Sequence, residues 1–348
     1  MLRVLVAEDS ATARMLLVSI YSRDPEIEVV GEACDGIEAV AMCKALLPDV
    51  VSMDIQMPNL DGIAATRQIM VERATPIVIV SSLDASDVQR SMHALNAGAL
   101  MVMAKPKGPG TARYEHESRD LIATIKAMAQ VKLVRRWAAI PPYQQSAPSL
   151  PIVGSTHTRA VLGIVASTGG PNALRKVLAD LPADFDPPIL VVQHIAAGFS
   201  AGLATWLHDS TGRPVILARH GESIEQGACY LAPDDHHLGI STDGKIALSN
   251  NPPLEGFRPS GSFLFSALAR SVGARAIGVI LTGMGSDGVA GLKELKDRGG
   301  TVIAQDEATS DVFGMPGAAL RAGLAREGTP LDGIAGKVMQ TLAERRTT

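Results

Sequence analysis

Val161-Leu162-Gly163-Ile164-Val165-Ala166-Ser167-Thr168-Gly169-Gly170-Pro171 is an apolar run that stops at two hydroxyl residues, followed by two glycines and a proline. Its β-branched character reads as a buried strand, and Asn172-Ala173-Leu174-Arg175-Lys176-Val177-Leu178 beyond it reads as a helix. A serine therefore stands at the tip of a strand-turn-helix. Such a turn lifts the hydroxyl off the end of a sheet and aims backbone N–H groups and a helix N-terminus at whatever it touches. Two chemistries fit the stretch alone: a nucleophile, which needs partners from elsewhere in the chain, or a glycine turn that holds an anion.

The chain around it has 348 residues, enough for two domains with separate cores. With 46% hydrophobic and 20% charged residues, it has the composition of a globular protein. No stretch approaches the roughly 18 uninterrupted apolar residues of a membrane span, so direct membrane insertion is not expected. Residues 1–4 lead straight into a strand pattern and lack the form of a secretory leader, so the expected location is cytoplasmic. Cys34, Cys43 and Cys229 lack metal-type or redox-type spacing, which argues against a disulfide framework or a zinc site. A formal net charge of −4 and only 3% aromatic residues give no basis for binding nucleic acid.

Upstream, strand and helix patterns alternate over 2–6, 12–21, 29–33, 37–46, 50–53, 64–71, 77–80, 88–97, 100–103 and about 117–135. That alternation predicts a doubly wound parallel sheet of (βα)5 form, covered by helices on both faces. Chemistry then belongs at the carboxyl ends of the strands. Glu8 and Asp9 follow the first strand, Asp54 the third, Ser81 the fourth and Lys105 the fifth. Three carboxylates on one rim repel one another, and Mg²⁺, a hard cation that takes carboxylate oxygens, relieves that repulsion. Lys105 and Ser81 are placed to bind phosphate oxygens, and Asp54 can attack phosphorus to form an acyl phosphate.

Val4-Leu5-Val6-Ala7-Glu8-Asp9-Ser10, Met53-Asp54-Ile55-Gln56-Met57-Pro58, Val78-Ile79-Val80-Ser81-Ser82 and Lys105-Pro106 together resemble the receiver domain of two-component response regulators. The resemblance implies Asp54 as the phospho-acceptor, Glu8, Asp9 and Asp54 as Mg²⁺ ligands, Ser81 as the switch hydroxyl and Lys105 as the phosphate-binding cation. It also implies a sensor histidine kinase as phosphodonor. Val102 stands where many receivers carry an aromatic residue. The expected organisation is a receiver over 1–135, a Pro/Ser/Gln-rich tether over 136–158 and a second α/β parallel-sheet domain over 159–348.

In that second domain the apolar run 188–193 ends at His194, and the run 276–281 ends in Thr282-Gly283-Met284-Gly285-Ser286-Asp287-Gly288. Ser167, His194 and Asp287 thus follow three separate strands, whose ends can meet on one rim of a parallel sheet. A neutral imidazole can take the serine proton, and a carboxylate can orient the imidazole. The amides of Thr168 and of the Met284 turn can form an oxyanion hole, worth about 10²–10³ in rate per donor. A hairpin is expected over 228–249, and His220, His236 and His237 on loop or hairpin segments are expected at the surface.

Ala166-Ser167-Thr168-Gly169-Gly170, Val192-Gln193-His194, Leu231-Ala232-Pro233, Phe257-Arg258-Pro259-Ser260 and Leu281-Thr282-Gly283-Met284-Gly285-Ser286-Asp287-Gly288 are similar to the bacterial chemotaxis protein-glutamate methylesterase family (CheB). The resemblance implies Ser167 as nucleophile, His194 as base, Asp287 as orienter and the Thr168 and Met284 amides as oxyanion donors. It implies hydrolysis of glutamate γ-methyl esters, with glutamine deamidation, on methyl-accepting chemotaxis receptors. An unphosphorylated receiver is then expected to cover the rim and a phosphorylated one to release it. Gly261-Ser262 and the tip Asp234-Asp235-His236-His237 depart from the usual family pattern. The competing reading is a receiver fused to a non-enzymatic binding module.

Overall fold

The computed structural model describes residues 1–82, 85–111, 113–131 and 160–346. The chain divides into two compact units, Met1–Trp137 and Ala138–Thr348. The first alternates β1 (Leu2–Ala7), α1 (Ala11–Tyr21), β2 (Ile27–Ala33), α2 (Gly36–Leu46), β3 (Val50–Met53), α3 (Gly62–Arg73), β4 (Ile77–Ser81), α4 (Ala85–Asn96), β5 (Met101–Ala104) and α5 (Tyr114–Ala129). Its parallel sheet has the order β2-β1-β3-β4-β5. Strands β3 and β4 are buried throughout, as a sheet with helices on both faces requires of Val-Val-Ser-Met and Ile-Val-Ile-Val-Ser. Ser10, Asp35 and Asp61 cap α1, α2 and α3 by accepting backbone N–H groups. Helix α5 closes at Ala129 with Gln130 as its C-cap, short of the expected end at 135. Residues 132–135 and the tether expected over 136–158 lie outside the described residues.

The second unit runs β6 (Val161–Ala166), α6 (Gly170–Asp180), β7 (Ile189–Gln193), α7 (Ser200–Thr211), β8 (Val215–Leu217), β9 (Cys229–Leu231), β10 (His237–Ile240), β11 (Ile246–Ser249), α8 (Gly261–Ser271), β12 (Ala276–Ile280), α9 (Val289–Asp297), β13 (Thr301–Gln305), α10 (Met315–Arg321), β14 (Gly328–Thr329) and α11 (Ile334–Arg346). Its seven-stranded sheet has the order β14-β13-β12-β6-β7-β9-β8, and its pairings are parallel. The expected hairpin is shorter than its sequence pattern. Only β10 and β11 form it, while β9 joins the main sheet between β7 and β8. Tyr230, almost fully buried, belongs to the apolar cluster under that sheet, which explains why β9 pairs inward. Among the described residues no helix is long and apolar enough to cross a membrane.

Helix α8 lies unusually close to the sheet, and glycines make the approach possible. Gly163 of β6 sits directly opposite Gly278 of β12. A Cβ at Gly163 would stand 2.4 Å from Leu268 Cδ1, and one at Gly278 would stand 2.7 Å from Leu292 Cδ2 and 2.8 Å from Leu295 Cδ2 of α9, with Phe265 Cε1 next at 3.2 Å. Phe265 and Leu268 of α8 are fully buried in the space those missing side chains leave. On its other side α8 meets α9, where a Cβ on Gly291 would come within 2.2 Å of the Ser262 carbonyl oxygen. The first turn of α8 is thereby held at the carboxyl rim of β12 and β6. Because Gly291 faces backbone, which cannot rotate away, Gly291→Ala is expected to lower unfolding free energy by about 1–3 kcal/mol. Urea denaturation followed by circular dichroism measures this, and an unchanged midpoint would refute the packing argument.

Candidate active site

The central strands β12, β6 and β7 are neighbours, so their carboxyl ends form one rim. Ala166 pairs with Gln193, placing Ser167 and His194 one residue beyond paired positions, and the His194 N–H donates to the Ala166 carbonyl at 3.0 Å. On the other flank the Ser167 N–H donates to the Thr282 carbonyl at 3.0 Å. A Cβ at Gly283 would lie 2.6 Å from Ser167 Cβ, so the loop after β12 passes directly over the serine. Gln193 adds a clamp: its Nε2 donates to the carbonyls of Ser167 at 2.7 Å and of His194 at 2.8 Å. Sequence reading had placed Gln193 inside the strand pattern without giving it this task.

His194 Nε2 and Asp287 Oδ2 are 2.9 Å apart, and the ring stacks on Phe257 with centroids 4.2 Å apart and planes 10° from parallel. The opposite nitrogen, Nδ1, is buried and has no hydrogen-bond partner among the described residues. An ionised Asp287 accepts, so the Nε2 proton points to it and Nδ1 presents its lone pair. No hydrogen bond from the Ser167 hydroxyl reaches that nitrogen, which leaves it open to accept a proton.

Asp287 is 1% exposed. Its Oδ1 accepts from Ser260 Oγ at 2.8 Å, the Ser262 N–H at 3.0 Å and the Gly288 N–H at 2.9 Å, and its Oδ2 accepts from the Gly261 N–H at 2.6 Å. Burial alone would push the carboxyl up. His194 and the backbone N–H groups of Gly261 and Ser262 outweigh it and hold the group down to about 2. The donors at 261 and 262 are the first-turn amides of α8, so the carboxylate occupies the positive end of that helix. Asp287 therefore serves α8 more than α9, whose residue preceding the first turn is Gly288.

Thr168 follows the nucleophile position in a turn closed by the Gly170 N–H on the Ser167 carbonyl at 2.8 Å, which does not use its own amide. The Gly283 carbonyl accepts from the Gly314 and Met315 N–H groups at 3.1 and 2.9 Å, anchoring the loop that carries Met284. Met284 itself is 47% exposed at the surface.

His237, expected at the surface, is fully buried instead. It stacks on Phe263, receives the Ser260 N–H on Nδ1 at 3.2 Å and faces the Pro252 carbonyl through Nε2 at 3.2 Å. The polar tip that precedes it concealed its register, because His237 opens β10 with its side chain facing α8. Of the departures from the family pattern, Gly261 and Ser262 are themselves Asp287 donors, through backbone groups that any residue type supplies.

In the first unit, Glu8, Asp9 and Asp54 bring carboxylate oxygens within 4.8 Å of one another. Lys105 Nζ bridges Glu8 Oε2 at 2.9 Å and Asp54 Oδ2 at 3.0 Å. Burial, with the neighbouring carboxylates, pushes Glu8 and Asp54 above their ordinary values despite the lysine. Burial also works against the Lys105 charge, but Asp54 and Glu8 more than offset it and raise that group. Ser81 Oγ is buried without a hydrogen-bond partner among the described residues. Glu8, Asp9, Asp54 and Lys105 converge on this rim, Ser81 stands at the end of the neighbouring β4, and the acidic pocket is consistent with a divalent cation. Val102 is buried in β5, a small side chain where an aromatic was noted as usual.

Comparison with known proteins agrees with both units. The family model described as CheB methylesterase matches residues 162–338, and that of the response regulator receiver domain matches residues 4–113. Protein-glutamate methylesterase/protein-glutamine glutaminase 4 of Myxococcus xanthus is 51% identical over 339 residues, covering 97% of this chain and 96% of that protein. Protein-glutamate methylesterase/protein-glutamine glutaminase 3 of Anaeromyxobacter dehalogenans is also 51% identical, covering 97% of this chain and 98% of its own length. The crystal structure of the Thermotoga maritima CheB methylesterase catalytic domain covers 53% of this chain and 99% of itself, with 37% identity and a TM-score of 0.51. These matches set aside the reading of a receiver joined to a non-enzymatic binding module. The chain belongs to the CheB family of protein-glutamate methylesterases/protein-glutamine glutaminases, with a response regulator receiver domain ahead of the methylesterase domain.

Proposed function

We propose that Ser167, His194 and Asp287 perform the methylesterase and glutaminase chemistry. The observation that carries this reading is the imidazole of His194, tied to a buried carboxylate through Nε2 and unpartnered at Nδ1 on the strand end beside Ser167. Ser167 Oγ attacks the side-chain carbonyl of a glutamyl methyl ester while its proton passes to His194 Nδ1. The Thr168 and Met284 N–H groups receive the developing oxyanion. Collapse expels methanol, or ammonia from a glutamine, with the proton returned from Nδ1. A water then loses its proton to the same nitrogen and hydrolyses the acyl-serine, leaving a glutamate carboxylate and a free hydroxyl. Asp287 stays ionised throughout, holds the ring and stabilises the imidazolium.

The receiver residues support a regulatory role for Asp54 as acceptor of a phosphoryl group from a sensor histidine kinase. The carboxylates of Glu8, Asp9 and Asp54 fit Mg²⁺, because their oxygens lie within 4.8 Å of one another and a hard cation takes such oxygen ligands. A bound Mg²⁺ supplies charge neutralisation at the phosphoryl oxygens. Lys105 offers a cation to those oxygens and Ser81 an unused hydroxyl. The substrates are methyl-accepting chemotaxis receptors, reached from the cytoplasm, and the receiver and catalytic domains extend over 1–135 and 159–348.

Ser167→Ala is expected to reduce methanol release from methylated receptor by at least about 10⁴-fold, with unchanged circular dichroism; retained turnover would sink the nucleophile assignment. A small-molecule phosphodonor with Mg²⁺ is expected to accelerate methanol release by the intact chain, and equal stimulation of Asp54→Asn would rule out Asp54 as the acceptor. Asp287 also sets an acid dependence of stability. A carboxyl lowered from 3.8 to about 2 stabilises the fold above pH 4 and loses that contribution as pH falls toward 2. Subtracting the unfolding free energies of Asp287→Asn from those of the unaltered chain is expected to give a difference that shrinks by about 2 kcal/mol across that window. A flat difference would show that Asp287 is not held ionised.

A further inference from the structure

We propose that His237 is a positioning residue for the reaction, acting through Ser260 on Asp287. It makes no contact with the substrate's reacting atoms, and it rests on the triad reading given above.

The proton arrangement follows from the partners. The Ser260 N–H can only donate, so His237 Nδ1 must accept. The Pro252 carbonyl can only accept, so Nε2 must carry the proton. Both conditions hold only for a neutral ring with its proton on Nε2, and stacking on Phe263 at 4.6 Å fixes its plane. With both nitrogens committed and no exposure, His237 has no capacity for acid–base chemistry of its own.

Ser260 in turn is the N-cap of α8. Its Oγ accepts the Phe263 N–H at 3.3 Å and donates to Asp287 Oδ1 at 2.8 Å. The next two amides, of Gly261 and Ser262, bind the same carboxylate. A shift of the Ser260 backbone therefore moves three donors to Asp287 together. Among the described residues the acceptor of the Ser260 N–H is the imidazole supplied by β10. An unsatisfied buried N–H costs free energy, and the cap would tilt to find another acceptor. The hydrogen-bonded chain is Pro252 to His237 to Ser260 to Asp287 to His194, and its far end is the base. Misplacement of catalytic groups by a fraction of an ångström acts on turnover more than on substrate binding.

The test uses the full chain with a phosphodonor and methylated receptor. His237→Phe keeps the ring volume and the stack but deletes both polar atoms. His237→Asn places a carbonyl oxygen near the Nδ1 position and restores the acceptor. The expected result is a fall in kcat of about 10- to 100-fold for His237→Phe with KM within about twofold, and recovery of most of that loss in His237→Asn. Ser260→Ala removes one of the three donors and keeps the backbone N–H that His237 accepts, so adding His237→Phe to it is expected to cost a further loss through the Gly261 and Ser262 amides. The low-field proton resonance of the His194–Asp287 hydrogen bond should move in His237→Phe and return in His237→Asn. A wild-type kcat in His237→Phe, or equal losses in the Phe and Asn variants, would each overturn the proposal. Should His237→Phe fail to fold, ¹⁵N-histidine spectra of the unaltered chain decide: an unprotonated Nδ1 at His237 supports it and a doubly protonated ring refutes it. Failure of the triad reading is distinguishable, because Ser167→Ala would then keep its activity whatever His237 does.

Discussion

A carboxylate taken fully out of water is tolerable only where its lone pairs meet donors, and the catalytic half of this chain is arranged around that requirement at Asp287. Removing an ionised carboxyl from solvent costs several kcal/mol even after relaxation. Here the cost is met by the first turn of α8, by the Ser260 hydroxyl and by the Nε2 proton of His194. The helix must reach the rim for those amides to arrive. Its approach depends on Gly163 and Gly278, which face each other across β6 and β12 and leave room for Phe265 and Leu268. A packing decision in the middle of the sheet thus fixes the electrostatics at its edge.

The two units meet the same physical problem in opposite ways. Around Asp287 the compensation is complete within the protein, and the carboxyl is depressed to about 2. Around Asp54 and Glu8 it is incomplete, because one lysine serves several carboxylates and burial prevails, leaving those groups raised. A carboxylate meant to stay unchanged through turnover suits the first arrangement. An acidic pocket consistent with a divalent cation suits the second, where the carboxylates supply the attraction for that cation. Lysine bridging the pair keeps the rim from flying apart.

Most of the architecture was readable because parallel strands buried on both faces are continuous apolar runs, and the glycine turns after them mark where chemistry can sit. Ser167, His194 and Asp287 are proposed on that basis, each as the residue type that ends or follows such a run. What one-dimensional pattern does not carry is strand order. Nothing in the spacing of 167, 194 and 287 says that β12, β6 and β7 lie side by side, and had β9 entered between β6 and β7 the same residues would be too far apart to cooperate. The segment containing β9 misled for a related reason: three residues of strand followed by a polar tip resemble half a hairpin, and only the fully occupied space beneath Tyr230 tells it apart. His237 was missed because a histidine beside Asp234, Asp235 and His236 reads as solvent-facing, whereas every residue of β10 is buried.

The orientation of the His194 ring also explains why a turn so like an anion site is suited to an ester. A phosphate cradle needs donors on every side, and Ser167, Thr168 and the start of α6 supply several. The imidazole changes that balance. With its Nε2 proton held by Asp287, it leaves a buried lone pair on Nδ1 that no donor among the described residues occupies. A neutral methyl ester or amide meets no repulsion there, but a carboxylate meets the lone pair directly, with the Asp287 charge behind it. Substrate and product of the reaction differ by that one charge. Under the proposed triad, the proton placement that would make Nδ1 the base also disfavours the acid product beside it.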